Sequence, residues 1–98
     1  MPHAMQLIHN ETQNQFEILI DGQIAFVEYY LDGNKIHLTH TEVPETLKGK
    51  GIGSQLIEQT LQYIKKNHLV LVPLCSFVAN YVNNHSEWHT ILSEGYQM

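Results

Sequence analysis

The chain contains no arginine, a single cysteine and no apolar run long enough to cross a bilayer. Its five lysines stand against ten acidic residues, which leaves a formal net charge of −5. A nucleic-acid-binding protein normally shows a basic patch or stripe, so this balance argues against nucleic acid as a partner. A membrane-spanning helix needs about 20 apolar residues, so we expect no membrane partner either. The acidic balance instead favours a cationic or amine partner.

The lone Cys75 excludes an intramolecular disulfide and is typical of a reducing compartment. The first residues, Met1–Met5, lack the basic and apolar regions of a signal peptide. We therefore expect a cytoplasmic protein. A length of 98 residues suits one domain, so we predict a single domain over residues 1–98.

The first half of the chain has the pattern of an antiparallel meander. Asp21-Gly22 and Asp32-Gly33 are hairpin-turn signals, and the segments around them are rich in β-branched and aromatic residues. Alternation along the last segment places His40 on the same face as Ile36 and Leu38, toward the core. The predicted strands are Phe16–Ile20, Ile24–Leu31 and Lys35–Val43, preceded by a short strand at Met5–His9.

The second half changes to helical periodicity. A helix is predicted from about Gly51 to Asn67, with Glu58 on its solvent face. The apolar run Leu69–Leu74 suits a strand buried on both faces, parallel to the third strand because a helix connects them. Ser76 can cap a second helix, in which the aromatic residues read as core. The last stretch, 86–98, is expected to form a short helix or strand around Trp88–Leu92.

This order predicts an α+β fold: a mixed, mostly antiparallel sheet with a strand–helix–strand crossover and a following helix. A ligand crevice should lie where the two parallel strands diverge, near Val43 and Cys75. The run Lys48-Gly49-Lys50-Gly51-Ile52-Gly53 opens the crossover helix. Glycines let the backbone approach a ligand closely, and a helix N-terminus favours an anion. The spacing fits neither a P-loop nor a Rossmann fingerprint. A solvated connection is the alternative.

The loop resembles the pyrophosphate-binding signature (Gln/Arg)-x-x-Gly-x-(Gly/Ala) of the GNAT superfamily of N-acetyltransferases, with Lys48 where Gln or Arg is usual. Together with His40–Pro44 and Pro73–Phe77, it is similar to a small single-domain subfamily of about 100 residues. The resemblance implies binding of acetyl-coenzyme A and transfer of its acetyl group to an amine. The acceptor amine would belong to either a small molecule or a protein. It also implies a core without the N-terminal helices that, in larger members, wall the acceptor site.

Carried over by position, the backbone N–H groups of residues 50–54 would hold the pyrophosphate. The pantetheine arm would run beside Glu42 and Val43 at the end of the third strand. The residues assigned to the coenzyme by this resemblance are Val43, Lys48, Gly49, Lys50, Gly51, Ile52, Gly53, Ser54 and Ser76.

Three side chains are candidates for the chemistry. Cys75 follows a buried strand and precedes a helix N-terminus, which lowers thiol pKa values. It could accept the acetyl group or protonate the leaving thiolate, or it could be a small core residue. His40, expected to face Cys75, could activate this thiol or deprotonate an amine, but a hydrogen-bonded core histidine has the same pattern. Glu42 is the other candidate base, or simply a solvated glutamate.

The resemblance has one departure. Larger members carry an Asn after this strand and a Tyr on the next helix that protonates the leaving thiolate. The nearest residues here are Ser76 and Asn83, with Tyr81 out of step. A non-catalytic acyl-coenzyme A-binding module and a protein-interaction domain are therefore the rival functions. His85-x-x-x-His89 has a metal-ligand spacing, but no third ligand is evident and we predict no metal site.

Overall fold

The computed structural model describes residues 6–93. Five strands form one sheet in chain order, and two helices follow the fourth and fifth strands. Met5, the predicted start of the first strand, and residues 94–98, the end of the predicted last stretch, lie outside the described residues. The elements are β1 (Leu7–Asn10), β2 (Gln15–Ile20), β3 (Gln23–Asp32), β4 (Lys35–Glu42), α1 (Ile52–Lys66), β5 (Val70–Pro73) and α2 (Ser76–Asn83), with 3₁₀ segments at Glu45–Leu47 and Ser86–Ile91.

The strands pair as the turn signals predict. Asp21 and Gly22 have φ angles of 52° and 73°, as a tight two-residue hairpin turn requires. β1, β2, β3 and β4 pair with one another in antiparallel fashion, whereas β5 is parallel to β4. The α+β prediction of a mixed, mostly antiparallel sheet with one helical crossover is confirmed.

All helical elements pack on one face of the sheet. The apolar stripe of α1 is fully buried there, as are Val78 and Val82 of α2. None of the helices within residues 6–93 is long and apolar enough to cross a bilayer. The stripe of α1 consists of Leu56, Ile57, Leu61 and Ile64.

β4 and β5 part after four paired residues. Their register runs from Lys35 opposite Val70 to Leu38 opposite Pro73. Beyond this point the backbone N–H groups of residues 74 and 75 both donate to the carbonyl of Leu38, at 3.1 and 3.0 Å. The sheet therefore opens at the carboxyl ends of these two strands.

Because of a β-bulge at Thr39, the side chains of β4 after this residue point to the sheet face opposite to the one that simple alternation predicts. Tyr29 pairs with Leu38, but Glu28 pairs with His40, so Thr39 is the extra residue. Because Glu28 alternates with buried neighbours, its partner His40 points away from the core. The expectation that His40 continues the inner face is wrong. Thr41 takes that position instead, opposite buried Val27.

Candidate functional site

A cleft of about 530 Å³ lies between the end of β4 and the N-terminus of α1. It includes Val43, where the diverging strand ends predict a crevice, but Cys75, the other residue expected there, is not among its lining residues. Backbone of the glycine loop forms one wall, and an aromatic ring from α2 forms another. The lining residues are Thr41, Glu42, Val43, Leu47, Lys48, Gly49, Gly51, Ile52, Gly53, Ser54 and Phe77.

Two glycines shape the loop. Gly49 and Gly51 have φ angles of 80° and 77°, in the left-handed region that disfavours residues with a β-carbon. Gly51 is the N-cap of α1, so no side chain caps the helix, and its first turn contains no acidic residue. The first N–H groups of α1 and the positive end of its dipole therefore face the cleft. This arrangement fits a phosphate group.

Position 53 favours glycine for a different reason, because a neighbouring ring leaves little space for a side chain. A β-carbon at Gly53 would lie 2.6 Å from Cζ of Phe77 and 3.3 Å from Cγ2 of Val43. The Phe77 ring therefore packs directly on the first turn of α1. It is 40% exposed, so the expectation of a core residue is wrong for Phe77. Sequence reasoning missed this wall of the cleft, although Phe77 belonged to the motif that carried the resemblance.

Seven of the nine residues predicted to contact the coenzyme line the cleft. Lys50 and Ser76 are exposed and do not line it. Ser76 is also not a cap, because Cys75 is the N-cap of α2 and Ser76 is its first residue. Lys48 forms an exposed ion pair with Glu45, at 3.2 Å. Such a surface pair contributes little to stability, so the Lys48 ammonium can exchange it for an anion.

The half-buried thiol of Cys75 faces Thr41. Cys75 Sγ donates to the Oγ1 of Thr41 at 3.4 Å. Burial alone raises the pKa of the thiol. Hydrogen bonds to the thiolate from the Thr41 side chain and from backbone N–H groups, those of Val78 and Phe77 among them, outweigh burial and hold the pKa of Cys75 below its ordinary value. The local geometry therefore stabilises a thiolate.

His40 and Glu42 lie on the other side of the sheet. His40 Nε2 is 3.6 Å from Glu42 Oε2, and the two side chains are 54% and 50% exposed. His40 also lies near Phe26, with ring centroids 6.3 Å apart. The gap between β4 and β5 thus has a thiol on its inner side and an exposed imidazole–carboxylate pair on its outer side.

A carboxylate network joins α1, α2 and the last 3₁₀ segment. Glu58 Oε1 accepts hydrogen bonds from Tyr81 Oη at 2.6 Å and from Trp88 Nε1 at 3.0 Å. Its Oε2 accepts one from Gln62 at 3.0 Å. Burial raises the pKa of Glu58, but these hydrogen bonds outweigh it and the pKa lies below its ordinary value. Periodicity predicted that Glu58 lies on the solvated face of α1. That expectation is wrong, because its carboxylate is hydrogen-bonded between α1, α2 and the last 3₁₀ segment.

The Tyr81 hydroxyl belongs to the same network, since it donates its hydrogen bond to Glu58. Burial and the hydrogen bond to Glu58 raise the pKa of Tyr81. This hydroxyl is directed at α1 and is not among the groups that line the cleft. His85 stacks on the Tyr81 ring, with centroids 3.9 Å apart.

The histidines of His85-x-x-x-His89 contact carbonyl groups. His85 Nδ1 lies 2.7 Å from the carbonyl of Tyr81, and His89 Nε2 lies 3.1 Å from that of Val82. Residues 6–93 contain no group of three side chains that could hold a metal ion. The two imidazoles thus close the C-terminal end of α2.

Comparisons with known proteins converge on one family. A family model described as GCN5-related N-acetyltransferase matches residues 15–91, most of the chain. The chain is similar to the protein NATD1 of several vertebrates. It is 23% identical to that of Xenopus tropicalis over 82 residues, which covers 81% of this chain and 75% of the relative. It is 26% identical to that of Gallus gallus over 81 residues, which covers 80% and 74%.

A solved structure has the same fold. The NMR solution structure of a GCN5-like candidate N-acetyltransferase from Staphylococcus aureus superposes with a TM-score of 0.70. It is 23% identical and covers 95% of each chain. At this identity the likeness concerns the fold, and it confirms the expected GNAT-like core.

Proposed function

The chain belongs to the GCN5-related N-acetyltransferase family, and on that premise we propose that it transfers the acetyl group of acetyl-coenzyme A to an amine. The observation that carries the proposal is the cleft at the N-terminus of α1. Its glycine-lined wall suits a pyrophosphate, and its other end reaches Thr41, the residue whose hydroxyl contacts the Cys75 thiol. A coenzyme bound in this way would direct its thioester toward Thr41 and Glu42, next to the thiol of Cys75.

The proposed reaction makes one bond and breaks one. The acceptor nitrogen attacks the carbonyl carbon of the thioester, and the carbon–sulfur bond breaks. The nitrogen loses a proton and the leaving thiolate gains one. Among the described residues that line the cleft, Glu42 alone carries a carboxylate, and we therefore assign the base to Glu42. His40, 3.6 Å from that carboxylate, can take the proton onward.

Cys75 has two possible roles in this scheme. In the direct route its thiol donates the proton to the leaving thiolate. In the two-step route its thiolate attacks the thioester first and then passes the acetyl group to the amine. Thr41 and the N-terminus of α2, rather than His40, activate the thiol in either case. The proposal places the reaction in a reducing compartment such as the cytoplasm, where a free thiol persists.

A second function has an observation in its favour. The residues nearest to the general acid of larger family members are Ser76 and Asn83, and the hydroxyl of Tyr81 is engaged by Glu58. A module that binds acyl-coenzyme A without transferring the acyl group would have the same cleft and no need of these groups.

Calorimetry with acetyl-coenzyme A and coenzyme A tests the proposal. We expect micromolar binding, about −8 kcal/mol. Gly51→Leu should abolish it. Gly33→Leu is the matched control, because Gly33 also has a positive φ and open space around its Cα, but lies in the distant β3–β4 turn. Equal affinity in both variants would refute the assignment of the loop.

Turnover separates the two functions. Acetylation of a panel of amines, followed by mass spectrometry, should yield a product whose formation depends on Glu42. Tight binding with no product would instead support the acyl-coenzyme A-binding module. No binding at millimolar ligand would leave a protein-interaction domain.

A further inference from the structure

The sheet face opposite the helices is open within residues 6–93. Four large apolar side chains on this face are between 42% and 57% exposed, although the rest of the large apolar residues are mostly buried. Two of them, Leu19 and Ile24, pair directly across β2 and β3. An apolar sheet face is normally buried against another element. The four residues are Ile8, Leu19, Ile24 and Tyr30.

One row of this open face runs straight to the cleft. Ile8 pairs with Glu17, Glu17 with Phe26, and Phe26 with Glu42, so the four residues cross β1 to β4 in line. Glu42 is also a lining residue of the cleft. The open face and the candidate site are therefore continuous.

Glu17, within this row, is a buried carboxylate that has no countercharge among residues 6–93. It is only 7% exposed. Its Oε2 accepts hydrogen bonds from Asn10 Nδ2 at 2.8 Å and from Gln15 Nε2 at 2.6 Å, and both partners are neutral. No lysine or histidine nitrogen of residues 6–93 forms an ion pair with it. Buried carboxylates are normally paired with a cation, so this position favours a cation from another molecule.

The remaining charges near this row of the face are negative. Glu28 and Glu42 project from it, whereas Lys35, the one lysine that the strands of residues 6–93 place on this face, lies at the far end of β4 opposite Asp32. A second copy of this chain would therefore bring two acidic faces together, which is unfavourable in a two-fold dimer.

We propose that the open face docks a basic amphipathic helix of another protein. Its apolar side chains would pack on Leu19 and Ile24, and one of its lysines or arginines would pair with Glu17. Docking of this kind requires neither coenzyme nor turnover, so it stands independently of the proposed acetyl transfer.

The test is a binding titration without coenzyme. The probe is a fluorescein-labelled helical peptide of leucine and lysine, and the same peptide with glutamate in place of lysine is its control. We expect only the lysine peptide to bind. Glu17→Gln should weaken this binding about thirtyfold or more, as expected when one partner of a buried charge pair is removed. Glu87→Gln, which removes an equal charge on the helical side, should leave it unchanged.

A second pair of variants and an NMR map complete the test. Leu19→Ser and Ile24→Ser change exposed side chains, so the fold should survive while the affinity falls severalfold. Backbone amide shifts on peptide addition should concentrate on β2 and β3. Equal losses in Glu17→Gln and Glu87→Gln, or shifts concentrated on α1 and α2, would overturn the proposal. Concentration-dependent dimerisation that buries this face, seen by sedimentation, would also overturn it.

Discussion

Cys75 Sγ lies 3.4 Å from Oγ1 of Thr41, so the neighbouring strand presents a hydroxyl to the thiol rather than the imidazole of His40. A neutral hydroxyl is too weak a base to deprotonate the thiol, but it can donate a hydrogen bond to a thiolate. The thiol is therefore stabilised as an anion by hydrogen bonds and not by a histidine base.

Thr41→Val should make the thiol less reactive. The substitution keeps the shape of the side chain and removes one hydrogen bond to the thiolate, so the pKa of Cys75 should rise. Loss of a hydrogen bond to a charged group should slow alkylation at neutral pH roughly threefold to tenfold. The measurement is the iodoacetamide rate as a function of pH.

Two variants control this result. His40→Gln should leave the alkylation profile unchanged, because His40 lies on the outer face. Thr39→Val removes a hydroxyl that donates to the carbonyl of Glu28 at 3.3 Å, away from the thiol. If His40→Gln slowed alkylation as much as Thr41→Val, the assignment of these two faces would be wrong.

Cys75→Ala, combined with mass spectrometry of the wild-type protein, should distinguish the two proposed routes of transfer. A covalent route requires the sulfur, so the variant would lose nearly all turnover, and the wild-type protein would show an acetyl adduct on Cys75 by mass spectrometry. In the direct route the variant loses only a proton donor, typically worth about 10²–10⁴-fold in rate. Undiminished turnover would exclude both roles for the thiol.

Gly53→Ala should change ligand binding more than stability. The new β-carbon displaces the Phe77 ring, whose tip is its nearest neighbour at 2.6 Å. Because this ring is partly exposed, its movement is inexpensive, and alanine gains up to about 1 kcal/mol in helix propensity. We expect a melting temperature close to wild type and a several-fold weaker affinity for acetyl-coenzyme A.

The double variant Gly53→Ala/Phe77→Leu is the control for this effect, because a smaller side chain relieves the contact. It should recover part of the lost affinity. A melting temperature far below wild type in Gly53→Ala would show that the neighbouring Val43 contact at 3.3 Å, rather than Phe77, resists the change.

Glu58→Gln should destabilise the fold in a pH-dependent manner. The pKa of Glu58 is lowered in the folded state, so the unfolded chain binds more protons near the ordinary carboxyl pKa and stability rises with pH there. Weakening its hydrogen bonds should cost about 1–2 kcal/mol at neutral pH. The loss should diminish as the pH falls from the ordinary carboxyl pKa through the lower pKa of the folded state, and urea unfolding at several pH values measures it.

Tyr81→Phe tests the other end of this hydrogen bond. The pKa of Tyr81 is raised in the folded state, so its contribution is present below its unfolded pKa and is lost at higher pH. The wild-type protein should therefore lose stability in alkali more steeply than Tyr81→Phe. Parallel alkaline profiles would indicate that the Tyr81–Glu58 bond contributes little.

The strand order and helix positions follow from sequence because each depends on local signals. Turn dipeptides, alternation and a change of period identify β2, β3, β4 and α1 to within a few residues. The glycine loop is predictable for the same reason, since its conformation is set by residues without a β-carbon. These features need no knowledge of distant contacts.

The side-chain partners could not be predicted from the same patterns. Alternation counts Thr39 as an ordinary strand residue, and the bulge shifts every side chain after it to the opposite face. Glu58 is equally misleading, because a carboxylate on the polar side of a helix meets Tyr81 and Trp88 only after α2 and the last 3₁₀ segment have packed. Only tertiary structure determines either arrangement.

The neighbour-to-neighbour order of the sheet has a consequence for how the chain folds. β1 to β4 each pair with the strand that comes before or after them in sequence, so this part closes only short loops. β5 must instead return across the whole of α1. Since loop-closure entropy slows non-local pairing, the meander should form early and the crossover late. The gap between β4 and β5 would then be created in the last step of folding.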